Sequence, residues 1–372
     1  MKTFSRIQPI LNKIPLELLK LLPVSFGVFF LLFMLMKFPE AVAQGASDGI
    51  DLSLGTLIPT LYPFLVVSSL ITETSICDKL TAPFSKVTKL LFNLDGKCLS
   101  AIVMSMVGGM PVGCKMACEL YENGSISFSE SRRLMLFCFC CGPAFTISSV
   151  GIFMLSSKSA GIVIYASLII SAMIVGMLSR FFEDDDNIYR NRIYQTDSKP
   201  FSVSLVAAVS SGTTAMIGIS SWVILFSCIN RLIEILSFSD NAKYFFYCIL
   251  EVTNGARISA GYLKLPLIAG IISFGGICAH CQVMPYLVKV RMKYKHFLVS
   301  RIVCAALSVI VCNLLLEIFP VTYNVFAMGT LPKETVIAKS ASVSIAMMFM
   351  AGLFLIGDST VFRLKAKKDH RN

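Results

Sequence analysis

Residues 98–115 read CLSAIVMSMVGGMPVGCK, an apolar run of membrane-helix character that is cut in its middle. Gly108, Gly109, Pro111 and Gly113 fall within six positions. Proline has no amide hydrogen to give and glycine is costly in a helix interior, so no continuous helix passes through. At membrane depth the freed backbone groups must be met by protein, water or a ligand. The break is therefore a candidate site, and Lys115 and Glu119, which follow at once, call for polar surroundings. A plain kink with small residues for close helix packing is the alternative.

The surrounding chain has the same apolar character. Hydrophobic residues make up 55% of 372 positions and charged residues 15%, too little polar surface to cover a soluble fold of this size. A bilayer core needs about 20 apolar residues per helix. Charge-free runs occur at 54–72, 134–157, 159–179, 200–230 and 340–357, with shorter ones at 21–36 and 302–316. The 33 Lys and Arg outnumber 22 Asp and Glu, but they sit in short loops between apolar runs rather than on one face. That is topology-setting charge, and it argues against nucleic acid as a partner. The thirteen cysteines lie almost wholly in apolar segments, where cysteine acts as a small hydrophobe rather than a disulfide partner.

Spanning segments are expected at 21–43, 54–73, 98–120, 131–154, 159–181, 205–230, 242–262, 265–288, 299–319 and 340–358. The amino terminus (Lys2, Arg6, Lys13, Lys20), the Lys79–Lys97 segment, the Lys289–Lys295 loop and the Arg363–Arg371 tail read as cytoplasmic. Both termini are then cytoplasmic, and 44–53, with Asp48 and Asp51, reads as a loop on the opposite side. The apolar run ending at Ala41-Val42-Ala43 also has the look of a signal peptide, though its long basic lead favours a retained helix. With 182–199 on the cytoplasmic side, one segment within 98–146 must enter and leave by the same face. The polar stretch 240–262 invites the same reading. The expected fold is an all-α polytopic membrane protein of about eight crossings plus two re-entrant or broken segments.

A weak internal repeat runs through it. Gly55 and Pro63-Phe64, then Gly108-Gly109, Cys114 and Arg132-Arg133, are echoed by Gly212 and Ser221-Trp222, then Gly275-Gly276, Cys281 and Arg301. With a cytoplasmic connecting loop the halves are inverted, the architecture of many secondary transporters. The organisation is then 1–50, basic amino terminus and first helix; 51–182, first gate-like repeat; 183–204, polar connection; 205–320, second repeat; and 321–372, final helix and basic tail.

Three more segments carry chemistry. Cys140-Cys141-Gly142-Pro143, followed by Thr146, Ser148 and Ser149, is a second break, or else a proline kink satisfied by hydroxyls. Glu251-Val252-Thr253-Asn254-Gly255-Ala256-Arg257 is the most polar stretch within reach of the membrane interior, where ionisable residues are functional candidates. Arg257 pairs there with Glu251 or with a bound carboxylate. Gly275-Gly276-Ile277-Cys278-Ala279-His280-Cys281-Gln282 holds a C-x-x-C with an internal histidine. A metal or thiol site is one reading; His280 and Gln282 as hydrogen-bonding groups on a cavity is the other. Phosphate-loop, dinucleotide-loop and H-E-x-x-H motifs are all missing, so neither ATP-driven pumping nor catalysis is expected.

At these four segments the chain resembles the YlbJ-type sporulation integral membrane proteins, the stage V sporulation transporter group with a "nucleoside recognition" gate domain. The resemblance runs from about residue 50 to 320. It is carried by Gly109-Met110-Pro111-Val112-Gly113 with Glu119 to Gly124, by Arg133-Leu134 to Gly142-Pro143, by Glu251 to Gly255, and by Phe274-Gly275-Gly276 to Gln282. It implies movement of dipicolinic acid across the mother-cell-derived outer forespore membrane towards the spore core. On this reading Lys115, Arg257 and His280, with amides near Gly109 and Gly276, bind the dianion. The wider substrate-binding set is Gly109, Pro111, Gly113, Lys115, Gly142, Pro143, Glu251, Thr253, Asn254, Arg257, Gly276, His280 and Gln282. No catalytic residue, metal or cofactor is expected. A nucleoside or other small-solute carrier, and a non-transporting scaffold of a sporulation complex, are the alternatives. A homo-oligomer or a sporulation membrane partner is left open.

Overall fold

The computed structural model describes residues 16–74, 81–181, 200–236, 238–260 and 263–322. The span expected at 340–358, the loop 182–199 and the basic residues before 16 lie outside the described residues.

Fourteen helices carry the argument among the described residues. They are α1 (Leu16–Lys37), α2 (Pro39–Glu73), α3 (Ser85–Phe92), α4 (Cys98–Val107), α5 (Val112–Glu122), α6 (Phe128–Phe137) and α7 (Ala144–Met154, π-helical), then α8 (Lys158–Leu178), α9 (Phe201–Ile235), α10 (Asp240–Leu250), α11 (Val252–Ala260), α12 (Leu265–Phe274), α13 (Gly276–Lys289) and α14 (Tyr294–Ile318). Pro39–Glu73, Lys158–Phe181, Phe201–Ile235, Leu265–Lys289 and Tyr294–Ile318 are long and apolar enough to cross a membrane.

The stretch 44–53, expected as a loop, is helical and part of α2. Pro39 opens that helix at a position where its fixed φ and missing amide cost nothing. Its loop-like glycines are packing contacts instead. A Cβ on Gly45 would come within 2.7 Å of Cys228 Cα, and one on Gly49 within 2.6 Å of Ile224 Cα, so α2 and α9 touch backbone to backbone. Further along, Gly212 of α9 meets Val66 of α2, and Ser204 Oγ donates to Glu73 O at 3.3 Å, so the two helices run antiparallel over their length.

The interrupted segments take two forms. Helices α4 and α5 pack side by side about the turn 108–111, and α10 and α11 do so about Glu251. Each is a hairpin that returns to the end it came from. By contrast α6 and α7 are separated by the non-helical stretch 138–142, and α12 and α13 by the left-handed Gly275; these are broken helices. The element order therefore recurs: a 35-residue helix, a hairpin, a broken helix, a closing helix. Helices α2 and α9 pack together, and so do the closing helices α8 and α14.

The glycine pairs matched in the sequence sit in different local structures. Gly108-Gly109 sits at a hairpin tip, whereas Gly275-Gly276 sits in a broken helix. By position, the 108–111 turn corresponds to Glu251, and 138–142 to Gly275. Glycine pairs recur at both because both are backbone crossings, not because they are equivalent.

One end of the bundle is marked by the Lys289–Glu122 ion pair at 2.9 Å and by the Ser204–Glu73 contact. The other is marked by Arg231–Asp48 at 2.7 Å and by Ser157 Oγ donating to Thr322 O at 3.0 Å. Between the ends the interior is apolar, with Leu65, Val112, Met116, Phe137, Val283 and Phe297 in one cluster. Large apolar side chains such as Phe29, Met36, Phe153 and Ile310 point outward. That distribution suits lipid as the surrounding solvent.

Candidate functional site

Both hairpin tips press against a helix break. At the first tip Gly109 has φ +81, open to glycine at no steric cost, and a Cβ there would lie 2.9 Å from Gly142 N. At the second, Gly276 has φ +74, and its Cβ would lie 3.1 Å from Val252 N and 3.2 Å from Glu251 Cα. The two halves then meet, because a Cβ on Gly275 would touch the Phe139 ring and the Met110 sulfur.

Interrupted helices leave carbonyls and amides without helical partners, and here side chains answer the carbonyls. Arg301 of α14, 1% exposed, donates to Phe139 O at 2.8 Å and to Leu136 O, the carbonyls ending α6. Its guanidinium lies over the Phe139 and Phe297 rings, at 5.1 and 5.4 Å from their centroids. At the other break His280 Nε2 donates to Phe274 O at 2.8 Å. With that proton on Nε2, Nδ1 accepts from the Tyr294 hydroxyl at 3.0 Å, which holds the ring as one neutral tautomer. Tyr165 OH donates to Met106 O at 3.0 Å near the first tip. At the second tip the Glu251 carboxylate accepts from Thr253 N and Asn254 N, both at 2.8 Å, and so caps α11.

These four interruptions enclose a cavity of about 140 Å³. An engineered protein cavity of roughly 150 Å³ holds one benzene ring, which sets the size of solute that fits. The first tip contributes Gly108, Gly109 and Met110; the first break contributes Cys141, Gly142, Ala144, Phe145 and Ser149. The second tip contributes Glu251, Val252 and Thr253, and α13 contributes Cys278, Ala279 and Gln282. Thr56, Thr60 and Phe64 of α2, with Ile219 and Val223 of α9, complete the wall. Apolar surface with a few polar groups is the usual composition of a small-molecule site.

Of the expected substrate-binding set, Gly109, Gly142, Glu251, Thr253 and Gln282 meet at this cavity. The three-cation cradle does not assemble there. Lys115 points away, into a buried ion pair with Glu119 at 2.5 Å. Arg257 is exposed and the Glu251 carboxylate is engaged by backbone amides. His280 is 1% exposed and spends both ring nitrogens on Phe274 and Tyr294. Pro111, Gly113, Pro143, Asn254 and Gly276 shape the tips and breaks behind the wall. Gln282 Nε2 is 3.5 Å from Cys278 Sγ. Among the described residues no group of three His, Cys, Asp or Glu side chains is arranged to hold a metal.

Sequence reasoning missed Thr56 and Thr60 on the wall, and the role of Arg301 behind it. A legible signal existed for the first two, hydroxyls four apart on one face of a charge-free helix. Arg301 entered only as a marker of the repeat. A cation at the head of the apolar run 302–316 is itself the clue that buried acceptors await it.

Comparison with known proteins gives one relative of matching length. The chain is 21% identical over 323 residues to the sporulation integral membrane protein YlbJ of Bacillus subtilis (strain 168), covering 76% of this chain and 79% of that protein. No family model and no solved structure matches. The match covers most of both chains, and with the four motifs and the all-helical membrane architecture it makes this chain similar to a sporulation integral membrane protein.

Proposed function

We propose that the chain is a secondary carrier for a small anionic solute during endospore formation, with dipicolinate as the first candidate. The observation that carries this reading is the cavity at which two hairpin tips and two helix breaks converge. Broken helices around a central site are the usual construction of secondary transporters. Each half has three crossings and one hairpin that returns, an odd number, so the halves are inverted with respect to each other. The loops at the Lys289–Glu122 end and both termini are then cytoplasmic, and the outer forespore membrane is the proposed site of action.

Charge placement supports an anion without any basic side chain on the wall. Helices α7 and α13 begin at the cavity, with Ala144, Phe145, Cys278 and Ala279 of their first turns on its wall. First-turn amides have no partner within their own helix and together carry its positive end, roughly half a charge per helix. The opposing negative ends, of α6 and α12, are engaged by Arg301 and His280, neither of which is on the wall. The cavity is thereby biased towards negative solutes.

A second reading is favoured by Glu251, among the described residues the one carboxylate on a wall without Lys, Arg or His. A polar, uncharged heterocycle such as a nucleoside would meet it without repulsion. Full-length protein in liposomes separates the two. Saturable dipicolinate uptake that excess nucleoside leaves unchanged is expected; nucleoside uptake that dipicolinate fails to compete would favour the second reading. Uptake of neither would overturn the carrier assignment.

A further inference from the structure

The cavity leaves one buried charged cluster unused. Glu119 of α5 accepts from Lys115 Nζ at 2.5 Å, Ser211 Oγ at 2.7 Å, Ser69 Oγ at 2.9 Å and Thr72 Oγ1 at 3.2 Å. Lys115 Nζ also donates to Ser69 Oγ. Lys115 is 2% and Glu119 16% exposed. The donors stand on three elements: α5 of the first hairpin, α2, and α9. This single carboxylate therefore ties the hairpin to both long helices, and neither charged residue is on the solute cavity's wall.

We propose that Glu119, with Lys115, is a proton-binding site whose protonation releases the first hairpin from the paired long helices, and so couples solute movement to a proton gradient. It rests on the carrier reading given above and adds the driving ion to it.

Three features support the assignment. The cluster is neutral, one carboxylate against one ammonium. An added proton gives it a net charge of +1 whichever atom holds it, and an uncompensated buried cation is strongly disfavoured. The titratable groups facing it do not relieve that charge. On α13 they are Tyr286 and Lys289, and Lys289 is itself a cation already paired with Glu122 at 2.9 Å; on α5 they are Cys114, Cys118 and Glu122. Among the described residues, the side chains of α2 and α9 that hydrogen-bond Glu119 are the hydroxyls of Ser69, Thr72 and Ser211.

The second feature is that release leaves the α2 hydroxyls satisfied. Ser69 Oγ is also 3.1 Å from Leu65 O, and Thr72 Oγ1 is 2.8 Å from Ser69 O, both carbonyls of their own helix. Each hydroxyl has one hydrogen, so each chooses between the Glu119 carboxylate and its own backbone. An ionised carboxylate wins that choice and a protonated one loses it, because charge-assisted hydrogen bonds are about twice as strong. The third feature is position. The hairpin that Glu119 holds is the one whose tip, Gly108 to Met110, forms part of the cavity wall. Movement of its arm therefore moves the wall.

The test uses full-length protein in nanodiscs and in liposomes. Hydrogen exchange over residues 98–122 is expected to speed up at least tenfold as the pH is lowered from about 8 to about 4, into the ordinary glutamate range. Glu119→Gln is expected to exchange fast at both pH values. The double variant Lys115→Met with Glu119→Met, which removes both charges, keeps the fold and is expected to lose the pH response. With the membrane potential clamped, a one-unit pH gradient should drive about tenfold solute accumulation through wild type, the limit for one proton per solute. Glu119→Gln should retain counterflow exchange and lose that accumulation. A pH-independent hairpin in wild type, or a Glu119→Gln variant with the wild-type pH response, overturns the proposal. A pH-responsive hairpin in a protein that moves no solute supports the proton site and sinks the carrier reading instead.

Discussion

Replacing Arg301 by methionine removes two donors from the first helix break while nearly preserving side-chain volume. Arg301 holds Phe139 O at 2.8 Å and also Leu136 O, and its guanidinium stacks against two phenylalanine rings. A buried carbonyl left without a donor costs about 1–3 kcal/mol. Two of them, with a cation–π contribution of about 1 kcal/mol, sum to roughly 3–7 kcal/mol. Relief of the desolvation of a buried guanidinium offsets part of this, which brings the expected net loss to about 2–4 kcal/mol. Reversible unfolding in mixed detergent micelles measures it, and hydrogen exchange locates it, with faster exchange expected at 134–146. Ordinary interhelical side-chain hydrogen bonds in membranes average about 0.6 kcal/mol, because the disrupted state finds other partners. The Leu136 and Phe139 carbonyls end a helix and lack such partners. A loss below about 1 kcal/mol would therefore refute the reasoning that Arg301 holds the break together. Arg301→Lys keeps the charge but not the fork, and should lose about half as much.

Other expectations follow from the same geometry. Gln282→Leu and Thr253→Val, both on the cavity wall, should weaken solute binding about tenfold or more, the loss of one good polar contact, with little change in unfolding midpoint. Gly276→Val forces a branched side chain onto φ +74 and against Val252 N; a loss of about 2–4 kcal/mol is expected in micelle unfolding, and one under about 0.5 kcal/mol would argue against the tip-to-break contact. Arg257→Ala should leave both stability and solute binding within about 0.5 kcal/mol of wild type, since Arg257 is exposed and off the wall; a large effect on binding would restore it to the site. Lys289→Ala should cost under about 1 kcal/mol, because its pair with Glu122 is half exposed.

Much of this protein is legible in its linear sequence. Apolar runs fix membrane residence, since 55% hydrophobic residues leave no soluble alternative. Glycine and proline mark where helices stop. Gly108 to Pro111 and Gly142-Pro143 interrupt the helices where expected, because missing donors and left-handed backbone are local properties. Positive charge in short loops points to a hairpin within 98–146, and α4 and α5 form one. The stretch 44–53 reads as a connection from its charges, Asp48 and Asp51, which do not reveal that Gly45 and Gly49 admit the α9 backbone.

The site was decided in three dimensions. Lys115, Arg257 and His280 share a charge preference in the sequence, but burial assigns each a different neighbour: Glu119, solvent, and the Phe274 carbonyl with Tyr294. Arg301 gains its role only when α14 is laid against the end of α6, 162 residues away in the chain from its Phe139 acceptor. Sequence alone determined that helices break and where, since those breaks are written in backbone chemistry. Only the tertiary structure decided which breaks meet, because the partners of a freed carbonyl are set by packing between distant helices and not by neighbours along the chain.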